Sequence, residues 1–518
     1  MPRFIRMCLV LIAVCFAAPA HAQDFEAIVR AAEKGNAKAQ YAVGMMYYNG
    51  RGVAKNNAEA VKWFRRAAEK GDADAQYGLG SMYANGLGAA KSDAEAVKWY
   101  RLAAEQGNMH AQNSLGNMHH EGRGVAKNDA EAVKWYRLAA KQGAAAAQFN
   151  LGNMCRTGQG VAKNDAEAAK WFRSAAEQGD ADAQYNLGLA YINGQGVAKS
   201  DTEAAKWLQS AAKQGVAEAQ FGLGAMYSEG RGVAKNDAEA VKWFRHAAEK
   251  GNADAQFGLG NMYREGRGVA KNDEEAREWY RRAAEQGNKN AQYNLGSMYR
   301  KGQGVGQSDA EARMLYRQAA EQGDMHAQYN LAVAYANGEG VAQSDSAAAK
   351  WYRSAAEQGH ASAQNNLGNM YREGRGVAQS DAEAVKWLRL AAEQGNASAQ
   401  FNVGSMHHEG RGIAQSDTEA VKWWRLAAEQ GGAEAQYNLG SMYRKGQGVA
   451  QSDAEAVKWF RLAAEQGLAE AQYNIGALYF NGKGVARDYT EAEKWFRLAA
   501  EQGGEAGKKA QDALKIIK

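Results

Sequence analysis

Ala183-Gln184-Tyr185-Asn186-Leu187-Gly188 opens a stretch that passes through Tyr191, Gly194, Gly196, Val197 and Ser200 to Trp207-Leu208 and closes at Gly215. Ala183, Leu187, Ala190 and Tyr191 fall at helical spacing, so one apolar stripe runs along a first helix. Gly194 is free to take positive φ and ends that helix. Gly196 and Val197 follow in a short loop whose valine can tuck under the helix end. Ser200 starts a second helix with Glu203 three residues on, the spacing of a capping box that Asn128 with Glu131 and Ser92 with Glu95 repeat. The second stripe is Ala204, Trp207, Leu208 and Ala211. Two antiparallel helices therefore fill one unit.

The closing glycine recurs every 36 residues from Gly35 to Gly503, thirteen intervals without a slip. Units of that length cannot bury their own apolar face and stack on their neighbours in a line. Trp63, Trp99, Trp135, Trp171, Trp207, Trp243, Trp279, Trp351, Trp387, Trp423, Trp459 and Trp495 share one position, and only Trp424 lies outside it. A fixed aromatic beside pairs such as Ala67-Ala68 reads as core rather than as a ligand box. The expected organisation is a repeat array over 36–503, an N-terminal capping half-repeat over 23–35 and a C-terminal capping helix over 504–518.

Residues 1–22 differ in kind. Arg3 and Arg6, the apolar run from Leu9 to Ala18 and the small-residue pattern Ala20-His21-Ala22 predict a secretory signal peptide cleaved after Ala22. No later stretch approaches the roughly 20 apolar residues that a membrane helix needs. The mature chain is expected to be exported, to the periplasm, without an integral membrane segment. Cys8 and Cys15 leave with the signal, so Cys155 stands alone and no internal disulfide can form. Cys155 takes the place of tyrosines such as Tyr191 and reads as a small buried hydrophobe. The formal charge of +5 comes from acids and bases interleaved throughout, which is not the footprint of a nucleic-acid binder. Both prolines, Pro2 and Pro19, lie in the signal, so no linker breaks the rest and one continuous domain is expected.

Ala-Gln-Tyr-Asn-Leu-Gly-x-Met-Tyr-x-x-Gly-x-Gly-Val followed by Asp-x-Glu-Ala-x-Lys-Trp-Phe-Arg-x-Ala-Ala-Glu-Gln-Gly resembles the Sel1-like repeat family, relatives of tetratricopeptide repeats, over essentially all of 24–503. The resemblance implies an all-α fold, a right-handed α/α superhelical solenoid of about thirteen repeats. It further implies a non-enzymatic, monomeric scaffold for protein or peptide segments in envelope signalling or maintenance, with no cofactor. Some relatives carry the label β-lactamase, which makes hydrolysis the weakest alternative; no Ser-x-x-Lys recurs in plausible geometry to support it. Paired cysteines that clip some exported relatives are missing. Leu315 in place of tryptophan, Ala332 of glycine, Ala334 of methionine and Ala347 of glutamate make 277–348 the least regular stretch, read as drift before specialisation.

If the tetratricopeptide likeness holds, first helices line the concave side. There Asn150, Asn186, Asn294, Asn330, Asn366, Asn402, Asn438 and Asn474 share one position on the face away from the core, and a row of amides can pair with an extended peptide backbone. Long copied blocks, Gln292 to Ser308 against Gln436 to Ser452, equally allow the row to be duplicated surface. At the end of the same helix the residue varies, with Arg156, Arg264, Arg300, Arg372 and Arg444 able to meet carboxylates. Tyr185, Phe221, Phe257 and Tyr293, read as exposed, can stack on sugar rings, which makes peptidoglycan, or a cell-wall enzyme that processes it, the second candidate partner. His119-His120-Glu121 and His407-His408-Glu409 suggest a metal, but they lie eight repeats apart and adjacent helical residues diverge, so none is expected.

Overall fold

A computed structural model describes residues 22–517. The expected signal peptide, apart from Ala22, lies outside the described residues, as do Cys8 and Cys15. The described residues form 28 helices and no strand, an all-α solenoid of helix pairs. The chain divides into two compact units, one ending at Ala255 and the other beginning at Gln256. A one-dimensional array has no core common to all its repeats. Within each unit, successive pairs pack side by side.

The pair Ala181–Asn193 and Asp201–Lys213 shows how the local signals act. Asp180 Oδ1 accepts the Ala183 N–H at 2.7 Å, and Gly194, at φ 69°, donates to the Ala190 carbonyl. Ser200 Oγ accepts the Glu203 N–H at 3.3 Å, but the expected capping box is only half made. The Ser200 N–H is already engaged with the Tyr191 carbonyl at 3.0 Å, so the Glu203 carboxylate turns forward to Lys206 at 2.6 Å. Ser344 shows that the serine suffices, since it caps the Ala347 N–H at 3.3 Å where the glutamate is lost.

The tryptophan register splits. Trp63, Trp99, Trp243, Trp387, Trp459 and Trp495 are buried, whereas Trp135, Trp171, Trp207, Trp279, Trp351 and Trp423 are half-buried. The deeper wedge is the next residue, such as Phe172, Leu208 or Tyr316. It enters because the facing first helix carries glycine: a Cβ on Gly152 would stand 2.7 Å from the Phe172 ring. Trp424, outside the common register, fills this deeper place and donates its indole N–H to the Phe401 carbonyl at 3.2 Å. In the irregular stretch Leu315 is buried where tryptophan is missing, and Ala332 is sealed against solvent.

Candidate functional site

Each repeat first meets its neighbours through a buried glutamine. Gln184 donates to the Ala176 carbonyl at 3.1 Å, in the last turn of the preceding second helix, and its Oε1 accepts from Gln214 at 2.9 Å. Gln148 does the same with Ala140 and Gln178, and Gln364 with Ala356 and Gln394. Three consecutive helices are thus tied by one carboxamide, which offers a donor and an acceptor at once. Where the outer glutamine becomes Lys70 or Lys250, the ammonium turns to the Gly35 or Gly215 carbonyl, and Oε1 of Gln40 or Gln220 is buried without a partner. Apolar periodicity misses this ladder. Its signal is the recurrence of Ala-Gln and Glu-Gln-Gly in most copies.

The asparagines read as solvent-facing are less open than expected. Asn330 and Asn402 are buried, and Asn150, Asn186, Asn294, Asn366, Asn438 and Asn474 are half-buried. Asn150 donates to Asn113 at 3.1 Å and Asn117 at 3.2 Å, and Asn402 to Asn365 at 3.3 Å and Asn369 at 3.2 Å. Asn294 donates to Asn261 at 3.3 Å. Asn261 also accepts from Tyr280, whose phenol burial pushes up to about 12. The amides therefore spend part of their capacity on the joint between repeats, because the facing residue of the previous first helix is itself often an asparagine.

The two rows meet in pairs. Arg372 donates to Asn402 at 3.1 Å and Arg444 to Asn474 at 3.1 Å, each thirty residues on. Arg156 and Asn186 line one cavity, and Arg300 and Asn330 another, at the same separation. Arg264 and Asn294 keep this spacing too, with the Arg264 guanidinium 5.9 Å from the Tyr280 ring centre. Charge neighbours moderate the arginines: Glu265 lies 3.6 Å from Arg264 and Glu373 3.5 Å from Arg372. The ring series is half-buried rather than exposed. Phe221, Phe257 and Tyr293 lie 5.9 Å from Phe244, Tyr280 and Tyr316 between ring centres, and Tyr185 is half-buried as well.

In the His-His-Glu runs the adjacent imidazoles diverge. His120 meets Asp129 at 2.7 Å and His408 meets Asp417 at 2.6 Å, while His119 and His407 turn inward with neither ring nitrogen partnered. Among the described residues no group of three or more His, Cys, Asp or Glu is placed to hold a metal. Cys155 is fully buried, and burial raises its thiol pKa, as suits an inert core residue.

Burial holds His119 below the usual imidazole range, Arg101 adds to this, and Glu131 opposes it. His110 and His360 are lowered by burial too. A base with a depressed folded-state pKa binds its proton more readily unfolded, so stability is lost as pH falls through the unfolded value of about 6.5. His119→Tyr installs the residue found at Tyr83 and Tyr443 and is expected to shrink, without abolishing, the fall in Tm between about pH 7.5 and 5.5. An unchanged fall by circular dichroism would remove His119 from the account.

Thirteen matches to the Sel1 repeat run from residues 37–72 to 469–504. No curated protein matches the chain. Among solved structures, it is similar to c5321, described as a protective antigen present in uropathogenic Escherichia coli strains displaying an SLR fold. The two share 34% identity over 94% of this chain and 97% of that one, with a TM-score of 0.73. A Sel1 repeat protein from Oxalobacter formigenes shares 34% identity over 60% of this chain and 90% of its own, with a TM-score of 0.48. This repeat fold is typically a protein-interaction scaffold and generally not catalytic. On the tandem matches and the 34% identity across nearly its whole length, the chain belongs to the Sel1 repeat family.

Proposed function

We propose that this protein is a non-enzymatic, exported scaffold that holds segments of partner proteins along its first helices, on the concave side, in envelope signalling or maintenance. The observation that carries the reading is the arginine–asparagine pair, a guanidinium and a carboxamide thirty residues apart that occur together five times and are joined by a hydrogen bond at Arg372–Asn402 and Arg444–Asn474. Guanidinium groups suit carboxylates, and amides suit an extended backbone. The N-terminal pattern of Arg3, Arg6 and Leu9 to Ala18 supports export to the periplasm, where the chain acts as a monomer. Peptidoglycan recognition by ring stacking draws less support, because the rings concerned already pack against their neighbours.

The test compares capture from a periplasmic extract by the mature protein and by a variant with Arg156, Arg300, Arg372 and Arg444 changed to alanine. The asparagines are left alone, since Asn402 also ties two repeats together. The variant is expected to keep its helicity and lose at least about tenfold of a specific protein, the effect of truncating charged hydrogen bonds at an interface. Equal capture by both would remove these pairs from the binding surface.

A further inference from the structure

At the joint where Ala190 meets the preceding second helix, two truncations coincide. The register of Ala190 carries methionine in most copies, among them Met82, Met118, Met154 and Met226, all buried. The register of Ala169, twenty-one residues earlier, carries Val61, Val97, Val133, Val385, Val421 and Val457 elsewhere. Ala205 and Ala349 repeat the second change, but Met226 and Met370 still fill their joints. Ala334 repeats the first, but there Arg313 stands in the valine place and donates to the Gly340 carbonyl at 2.9 Å. The space left at Ala334 is about 10 Å³, whereas at Ala190 it is about 200 Å³.

The floor of the larger cavity is Phe172, Ala168, Ala169, Leu189 and Ala190, and its rim holds Arg156, Asp165 and Asn186. Three equivalents of Asp165 are held by an arginine from the next loop: Asp93 by Arg123 at 2.8 Å, Asp201 by Arg231 at 3.1 Å and Asp381 by Arg411 at 3.0 Å. Gln195 replaces that arginine here, and the nearest ammonium, Lys163, is 3.8 Å away. The Asn186 N–H group donates to the Asp182 carbonyl at 2.8 Å, its own turn, rather than to a neighbouring repeat's asparagine. Around this apolar floor the rim thus combines a guanidinium, a carboxylate and a carboxamide.

We infer that this joint is a socket for one methionine- or leucine-sized side chain of an extended partner segment. The missing groups are those of Met and Val, so an aliphatic side chain entering from solvent restores the packing that other joints make internally. The rim suits the polypeptide backbone on either side of that side chain: Asn186 and Arg156 face carbonyls, and Asp165 accepts N–H groups. A fatty or aromatic small molecule has no use for such a rim. The socket rests on the scaffold reading and names the anchor residue of its ligand.

The test pans a randomised linear heptapeptide phage library on the full mature protein and measures the selected peptides by fluorescence polarisation. Wild-type protein is expected to enrich Met, Leu or Ile at one fixed position. Ala190→Met fills the cavity with the array's own residue, keeps or raises Tm, and is expected to weaken those peptides about ten- to a hundredfold, the effect of losing one buried aliphatic side chain. Ala169→Val fills it partly and gives a smaller loss. Ala205→Val, an equal change at a joint that keeps its methionine, leaves binding unaltered. Peptides weakened by the four arginine changes but not by Ala190→Met would overturn the socket and leave the scaffold standing. No enrichment, or enrichment without an aliphatic position, overturns the socket as well.

Discussion

Gly160→Ala is expected to lower stability by about 4 kcal/mol, whereas Gly179→Ala should cost about 1 kcal/mol. Both glycines have positive φ, 66° and 93°, so each substitution carries a backbone penalty. What separates them is space. A Cβ on Gly160 would lie 2.2 Å from the Asp129 carbonyl oxygen and 2.7 Å from the Ala130 nitrogen, at the start of the preceding second helix, Asp129–Lys141. Backbone cannot swing aside as a flexible side chain can, so the loop must lift off its neighbour. Gly179 has nothing within 4 Å. Because a repeat array loosens locally, the readout is native-state hydrogen exchange over residues 129–160 together with the urea midpoint. Equal losses in the two variants would mean that backbone strain, and not the contact between repeats, sets the requirement for glycine.

Gln364→Leu is expected to cost about 2 kcal/mol. The leucine fits the volume but loses two buried hydrogen bonds, to the Ala356 carbonyl at 3.0 Å and from Gln394 at 2.7 Å. Ala356 keeps the Gly359 N–H at 3.0 Å, and Gln394 reaches solvent, which holds the loss below that of two orphaned groups. Gln394→Lys copies Lys70 and Lys250. It should cost about half as much, because the ammonium gains the Gly359 carbonyl while one amide oxygen stays buried and unpaired. Chemical denaturation of the three proteins checks the order, and a Gln364→Leu protein as stable as wild type would reduce the ladder to decoration.

The helix pairs were legible because their signals are local: Gly194 and Gly215 end helices, Ser200 begins one, and Leu187 and Leu208 mark inner faces. What escaped depends on the neighbouring repeat. Gln184 looks like any polar helical residue until Ala176 and Gln214 are placed beside it. Asn402 sits on the face expected to meet solvent, yet Asn365, Asn369 and Arg372 close over it. The cavity at Ala190 needs two substitutions read as a pair across twenty-one residues. The pairing of Arg372 with Asn402 was visible as a spacing of thirty but meant nothing without the stacking that brings one repeat over the next.

The glutamine bridge bears on how such a chain changes length. Gln184 reaches one helix back and one helix forward, to Ala176 and Gln214, so every group that it needs lies in its own repeat or the preceding one. An unequal crossover between two copies of the 36-residue unit therefore delivers, at the new junction, a carbonyl and a carboxamide at the distances of the old one. Gain or loss of whole units is neutral for folding at the splice, while a fractional unit leaves a buried amide facing the wrong helix. Growth and shortening by recombination are thus cheap for this architecture, and the near-copy of Gln292 to Ser308 at Gln436 to Ser452 has the form that such an exchange leaves behind.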